Sequence, residues 1–149
     1  MQKDVRTLGV LEQLRQMRER ALDEAAGRLS QQKILCQRYS QNIHALTRLS
    51  DGSSRPTCDA LQMSNQAKFK ATVQRVIDWQ KQEQALAMIE QESLQRAVVE
   101  EACRERTLNI VLERQRAALR QVLQKQEQKQ TDAQAMQSWL RRRGGSFSK

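Results

Sequence analysis

Residues 64–143, SNQAKFKATVQRVIDWQKQEQALAMIEQESLQRAVVEEACRERTLNIVLERQRAALRQVLQKQEQKQTDAQAMQSWLRRR, contain no glycine and no proline and are dense in Ala, Leu, Gln, Glu, Lys and Arg. Such a run reads as one helix. At a rise of ~1.5 Å per residue it would extend roughly 120 Å, against ~11 residues for the mean helix of a globular domain. A helix of that length needs a partner to bury its apolar side. The seam that would supply one runs through Phe69, Val73, Val76 and Ile77, then Leu86 and Ile89, then Leu94 and Ala97, then Leu108, Val111 and Leu112. These are coiled-coil spacings with drifts.

On the N-terminal side lies a cluster of turn residues, Ser50-Asp51-Gly52-Ser53-Ser54-Arg55-Pro56-Thr57. A helix cannot continue through the proline, and glycine tolerates the left-handed backbone a reversal needs. Cys58 to Met63 has room for a short helical turn, with Ser64 or Asn65 as a cap for the long helix. Before the turn, residues 5–49 read as a second helix. Its apolar positions begin at Val5, Leu8, Leu11, Leu14 and Met17. Leu22, Ala25, Leu29, Gln32, Cys36, Tyr39, Ile43 and Leu46 then alternate strictly in steps of three and four, the signature of a helix facing another helix. A short link between helices favours antiparallel neighbours. The expected fold is therefore all-α: an antiparallel two-helix coiled coil over residues 1–143, a hairpin with the C-terminal helix (64–143) longer than the first, and a flexible tail at 144–149.

The unequal arms leave the end of the second helix without a partner in the chain. That overhang carries an apolar patch at Ala117, Ala118, Leu119, Val122 and Leu123, then an entirely polar run from Gln124 to Asp132, then Ala133, Met136 and Leu140. Apolar residues on an unpaired helix are contacts for a partner or for a second copy.

Composition agrees with a helical rod rather than a globular core: of 149 residues, 38% are hydrophobic, 3% aromatic and 29% charged. No apolar run follows the opening MQKDVR and none approaches the ~18 residues of a membrane helix, which places the chain in the cytosol with no direct membrane insertion. Three widely spaced cysteines, Cys36, Cys58 and Cys103, fit a reducing compartment rather than a disulfide framework.

Charge is uneven. Residues 1–50 hold nine Lys/Arg against five Asp/Glu, residues 51–103 six against eight, and residues 104–149 eleven against four. An antiparallel pair brings the two basic segments to the same end, so each end prefers different partners. Arg141, Arg142 and Arg143 suit the negative dipole end of a helix and equally suit a binding role. Nucleic acid is not an expected partner, because no basic region feeds a zipper and the acidic middle repels phosphates. Catalysis has little to stand on. The single histidine, His44, has no Cys or carboxylate at metal-ligand or triad spacing, and no glycine-rich phosphate loop is present. No catalytic residue, cofactor or metal site is expected. Cys36 and Cys103 read as small apolar fillers near the seams, and Trp79 and Trp139 as partly exposed interface anchors.

The run Leu11-Glu12-Gln13-Leu14-Arg15-Gln16-Met17-Arg18-Glu19-Arg20-Ala21-Leu22-Asp23-Glu24-Ala25-Ala26-Gly27-Arg28-Leu29 resembles the N-terminal helix of the flagellar export protein FliJ family, whose LExLxxLxE opening precedes acidic residues, paired alanines and leucine. After the turn, Phe69, Val73, Val76 and Ile77 are similar to that family's Phe-x3-Leu-x2-Ala-Ile spacing, with Val for Leu and for Ala, and the Gln/Glu/Lys/Asp-rich stretch from Glu127 to Arg143 is a weaker echo. The resemblance implies a soluble component of the flagellar type III export apparatus, shaped like the central stalk of a rotary ATPase. It implies that the termini end sits in the hole of a hexameric export ATPase and stimulates it, that the other end meets a membrane export-gate protein, and that export chaperones bind. It places the chain peripherally at the cytoplasmic face of the inner membrane through that apparatus. By position, Phe69, Val73, Val76 and Gln80 form the implied gate-facing set, with Tyr39, Ile43 and Leu46 as neighbours; ordinary seam packing is the alternative for these. The expected ring contacts are Leu119, Val122, Leu123 and the basic Arg114, Arg116, Arg120 and Arg141 to Arg143. The rival readings are a stalk protein of a virulence type III secretion system and a dimeric scaffolding coiled coil.

Overall fold

The computed structural model describes residues 1–52 and 59–146; residues 53–58, which hold most of the expected turn, and 147–149 lie outside the described residues. Two helices make up the fold: α1, Gln2–Gly52, of 51 residues and α2, Ala60–Gly145, of 86 residues. The chain is all-α, an antiparallel two-helix coiled coil whose C-terminal helix is the longer.

Both helices run further than residues 5–49 and 64–143. Ser50, Asp51 and Gly52 of the turn cluster remain helical, as do Gly144 and Gly145. The cap of α2 falls at Asp59 rather than at Ser64 or Asn65. The Leu61 amide donates to Asp59 Oδ1 at 3.1 Å, and the Met63 amide donates to the Asp59 carbonyl at 3.0 Å, closing the first turn. Ala60-Leu61-Gln62-Met63 are all good helix formers, so nothing delays the helix once an N-cap is available. At the other end Arg142 and Arg143 occupy the last turn, facing the negative end of the helix dipole.

The chain divides into two compact units. One comprises Glu19–Cys103; the other comprises Met1–Arg18 with Arg104–Lys149. In the first, the covered positions of α1 are Leu22, Ala25, Leu29, Gln32, Cys36, Tyr39, Ile43 and Leu46, with Ser50 beyond them. The whole three-four series read from the sequence faces inward. The Gln32 side-chain amide donates to the Ala87 carbonyl of α2 at 2.8 Å, which turns a polar layer into a link between the helices.

The facing stripe of α2 in this unit differs from the apolar residues of the sequence. It runs Gln66, Lys70, Val73, Ile77, Gln80, Gln84, Ala87, Gln91, Leu94, Val98 and Glu101, again in alternating threes and fours, with Glu83 and Ala97 half-buried beside it. Phe69, Val76, Leu86 and Ile89 are exposed. A coiled coil has to keep one register along its length, so the heptad set by Val73, Ile77, Ala87 and Leu94 carries glutamines and a lysine inward and leaves nearby large apolar residues outside. The aliphatic stems of those polar residues cover the seam.

In the unit of Met1–Arg18 with Arg104–Lys149, α1 turns Leu8, Leu11, Glu12, Arg15 and Arg18 toward cover, while Leu14 and Met17 are exposed. From α2 come Glu105, Leu108, Asn109, Leu112 and Leu119; Leu112 is the most buried residue among those described, at 2% exposure, and Val111 is exposed. From Gln121 to Ser146 every residue is exposed. No described helix is long and apolar enough to cross a membrane.

Candidate functional site

The strongest constellation lies in the unit of Met1–Arg18 with Arg104–Lys149 and is built on a carboxylate. Glu12 Oε1 accepts from Arg15 Nε at 2.9 Å and from Arg15 Nη2 at 2.7 Å, one helical turn away on α1. Glu12 Oε2 accepts from Arg116 Nη2 of α2 at 2.7 Å. One carboxylate thus holds a bidentate arginine on its own helix and a second arginine across the pair, the geometry of strong charge-assisted hydrogen bonds. The Arg15 hydrogen bond, and then the positive charges of Arg15 and Arg116, hold the Glu12 carboxyl below its ordinary value, against a partial desolvation that acts the other way.

Around this clamp α2 forms an open groove of about 850 Å³ lined by Leu8, Ile110, Arg114, Arg116, Ala117, Leu119 and Arg120, together with Glu113. The helical period brings these together: Ile110, Arg114 and Ala117 follow at steps of four and three, as do Arg116 and Arg120. The structure therefore gathers Arg114, Arg116, Leu119 and Arg120 into one surface of mixed apolar and basic character. Arg116 is engaged by Glu12, and all three arginines, Arg114, Arg116 and Arg120, are exposed. Val122 and Leu123 lie just beyond the groove and are exposed at 42% and 39%. Arg141 to Arg143 stand at the end of α2, away from the groove lining, with the Arg143 guanidinium 5.0 Å from the centre of the Trp139 ring, a cation–π contact.

The implied gate-facing residues all lie in the unit Glu19–Cys103 and divide by burial. Val73 is core, at 6% exposure, and Tyr39, Ile43 and Leu46 are half-buried seam residues of α1. Phe69 and Val76, seven residues apart on one stripe of α2, are exposed, with Trp79 exposed one turn on. Gln80 is half-buried in the seam, and its Oε1 is buried with no hydrogen-bond partner among the described residues.

His44 is exposed, Cys36 is half-buried in the seam and Cys103 is exposed. Among the described residues no three His, Cys, Asp or Glu side chains gather where a metal ion could sit. The sequence reading did not single out Glu12, Arg15, Leu8 or Ile110 as site residues. The spacing of Glu12 and Arg15, three apart, was the available signal for the clamp; its third member, 104 residues away, had none.

Charge separates with the two units. Glu19–Cys103 holds eleven Lys/Arg and eleven Asp/Glu, whereas Met1–Arg18 with Arg104–Lys149 holds fifteen against six, so the entire formal charge of +9 belongs to the unit that carries the groove.

Searches of curated proteins and of solved structures return no match to this chain. A family model does match, that of the flagellar FliJ protein, over residues 8–144. That span takes in most of both helices, the groove and the terminal arginines, and it covers the three separate segments whose residues resemble this family. The chain belongs to the flagellar FliJ protein family.

Proposed function

We infer that this chain is a component of the flagellar type III protein export apparatus, acting as a stalk whose basic unit enters the central hole of the hexameric export ATPase. The observation that carries the reading is the family match over residues 8–144, joined to a unit with all the net positive charge and a stretch of α2 exposed on every side. The ring contacts are the groove residues Arg114, Arg116, Leu119 and Arg120, the adjacent Val122 and Leu123, and Arg141 to Arg143. The unit Glu19–Cys103 faces the membrane export gate through Phe69, Val76 and Gln80, with Val73, Tyr39, Ile43 and Leu46 shaping that surface from the seam. Export chaperones are further partners, and the site of action is the cytoplasmic face of the inner membrane.

The contribution is mechanical rather than chemical, and the chain is not an enzyme. An asymmetric pair of helices inside a six-fold ring contacts the subunit interfaces unequally, which stabilises some ring states over others. Only a difference in affinity between those states can shift the ATPase, since equal binding shifts nothing.

The test is the turnover of the cognate export ATPase with and without this chain across a salt series, with the mass of the chain measured alongside. Stimulation by a monomer that weakens with salt is the expected result. Replacing Leu119 and Val122 with Asp removes the stimulation and leaves the helix content unchanged. A dimer without effect on turnover overturns the stalk reading in favour of a scaffolding coiled coil.

A further inference from the structure

The last turns of α2 carry a second surface, distinct from the groove in composition. Between Ala133 and Arg143 the chain has three arginines and no acidic residue. Ala133, Met136 and Leu140 follow at steps of three and four and Trp139 lies beside them, so the apolar side chains share one side of the helix. Met136 is 67% exposed, Trp139 56% and Leu140 55%. Arg143 packs over the Trp139 ring, which sets a cation and an amphipathic aromatic at one level of the helix.

We propose that Ala133–Arg143 binds the surface of an anionic phospholipid bilayer, with Met136, Trp139 and Leu140 in the headgroup boundary and Arg141 to Arg143 on the lipid phosphates. Charge complementarity favours this occupant: an uninterrupted cationic end attracts anionic headgroups, and tryptophan and arginine are the residues that settle at a membrane interface. A partner helix fits less well. The polar run Gln124 to Asp132 separates these residues from the apolar patch at Leu119, Val122 and Leu123, and a helix–helix seam needs several continuous heptads. The stripe is too short to span a bilayer and long enough to lie on one. The inference gives Arg141 to Arg143, which are ring contacts in the export reading, a second anionic partner for the chain outside the ring, and a test without ATPase reads it separately from that reading.

The experiment uses the full chain with Trp79→Phe, which leaves Trp139 as the sole tryptophan. Vesicles of phosphatidylcholine with phosphatidylglycerol, and of phosphatidylcholine alone, are compared by co-sedimentation and by Trp139 emission. The expected result is binding with a blue shift on the anionic vesicles, weakening as salt rises, and neither on the neutral ones. Replacing Arg141, Arg142 and Arg143 with Gln weakens binding about a hundredfold, since each arginine at an anionic surface contributes about a factor of five. A charge-matched control with Arg106, Lys125 and Lys129 replaced by Gln keeps the blue shift and loses less than about tenfold. Equal binding to both vesicle types, binding without a shift of Trp139, equal losses in the two triple variants, or no binding at all each overturns the proposal.

Discussion

Glu12 links the two helices through a single side chain. Its carboxylate is shared between Arg15 on α1 and Arg116 on α2, so protonating it removes both charge-assisted contacts. Its folded value is lowered, so the stability it contributes is present above the ordinary carboxylate value of about 4.3 and is lost as the pH falls through the lowered one. A Glu12→Gln variant melts below the wild type at neutral pH, and the difference vanishes in acid; a difference that persisted in acid would mean that Glu12 acts through packing alone. Gln80 makes the opposite case. Its Oε1 is buried among seam residues with no hydrogen-bond partner among the described residues, which costs about 1 to 3 kcal/mol. Gln80→Leu removes that burden and adds apolar cover, so the melting temperature rises. Should thermal melts show a loss instead, the glutamine is holding the register rather than straining it. Leu112, the most buried side chain among those described, is the reference for ordinary core behaviour: Leu112→Ala lowers stability by about 2 to 5 kcal/mol in denaturant titrations, through lost burial and an unfilled cavity.

At the scale of the helices, local preference and the demands of pairing agree in α1 and conflict in α2. The strict three-four series Leu22 to Leu46 was legible because apolar residue, spacing and burial coincide at nearly every step. In α2 the largest apolar residues of the middle section, Phe69, Val76, Leu86 and Ile89, lie off the covered stripe, while Gln66, Lys70, Gln80, Gln84 and Gln91 lie on it. Reading apolar residues alone therefore mixed the covered stripe with an exposed one. Register is set by the whole heptad series, and a polar layer that finds a partner, as Gln32 finds the Ala87 carbonyl, holds register as well as an apolar one. The candidate groove was legible in its α2 half, Arg114 to Arg120, and not in its α1 half, because which turn of α1 lies opposite depends on the stagger of the pair. Gly27 tests what the pairing tolerates. It lies inside α1 with nothing within 4 Å of an added Cβ, so Gly27→Ala has the helix-propensity gain of about 0.5 to 1 kcal/mol and no steric cost. Chemical denaturation measures it, and a loss of stability would show that the glycine serves a bend or a partner's close approach.

For the molecule as a whole, packing and charge are concentrated in different units. Of the six buried residues among those described, Ala25, Leu29, Val73, Ile77 and Ala87 belong to Glu19–Cys103, and Leu112 alone to the other unit. The formal charge of +9 is distributed the opposite way. The unit with the least core therefore also carries the self-repulsion, which disfavours its compact state until something anionic neutralises it. Salt separates these effects, because the screening length falls from about 10 Å at 0.1 M to about 3 Å at 1 M. Within Met1–Arg18 and Arg104–Arg120, amide hydrogen exchange slows as salt rises, since repulsion among nine Lys/Arg against four Asp/Glu is relieved. Within the neutral unit, exchange at Ala25 to Leu46 stays constant. On the stalk role proposed above, stimulation of the export ATPase moves in the reverse direction over the same series, because the salt that relieves repulsion within the chain also screens its attraction to the ring. Faster exchange near Glu12 and Arg116 at high salt would mean that the ion pairs outweigh the repulsion. In that case the basic unit is already held compact by its own contacts.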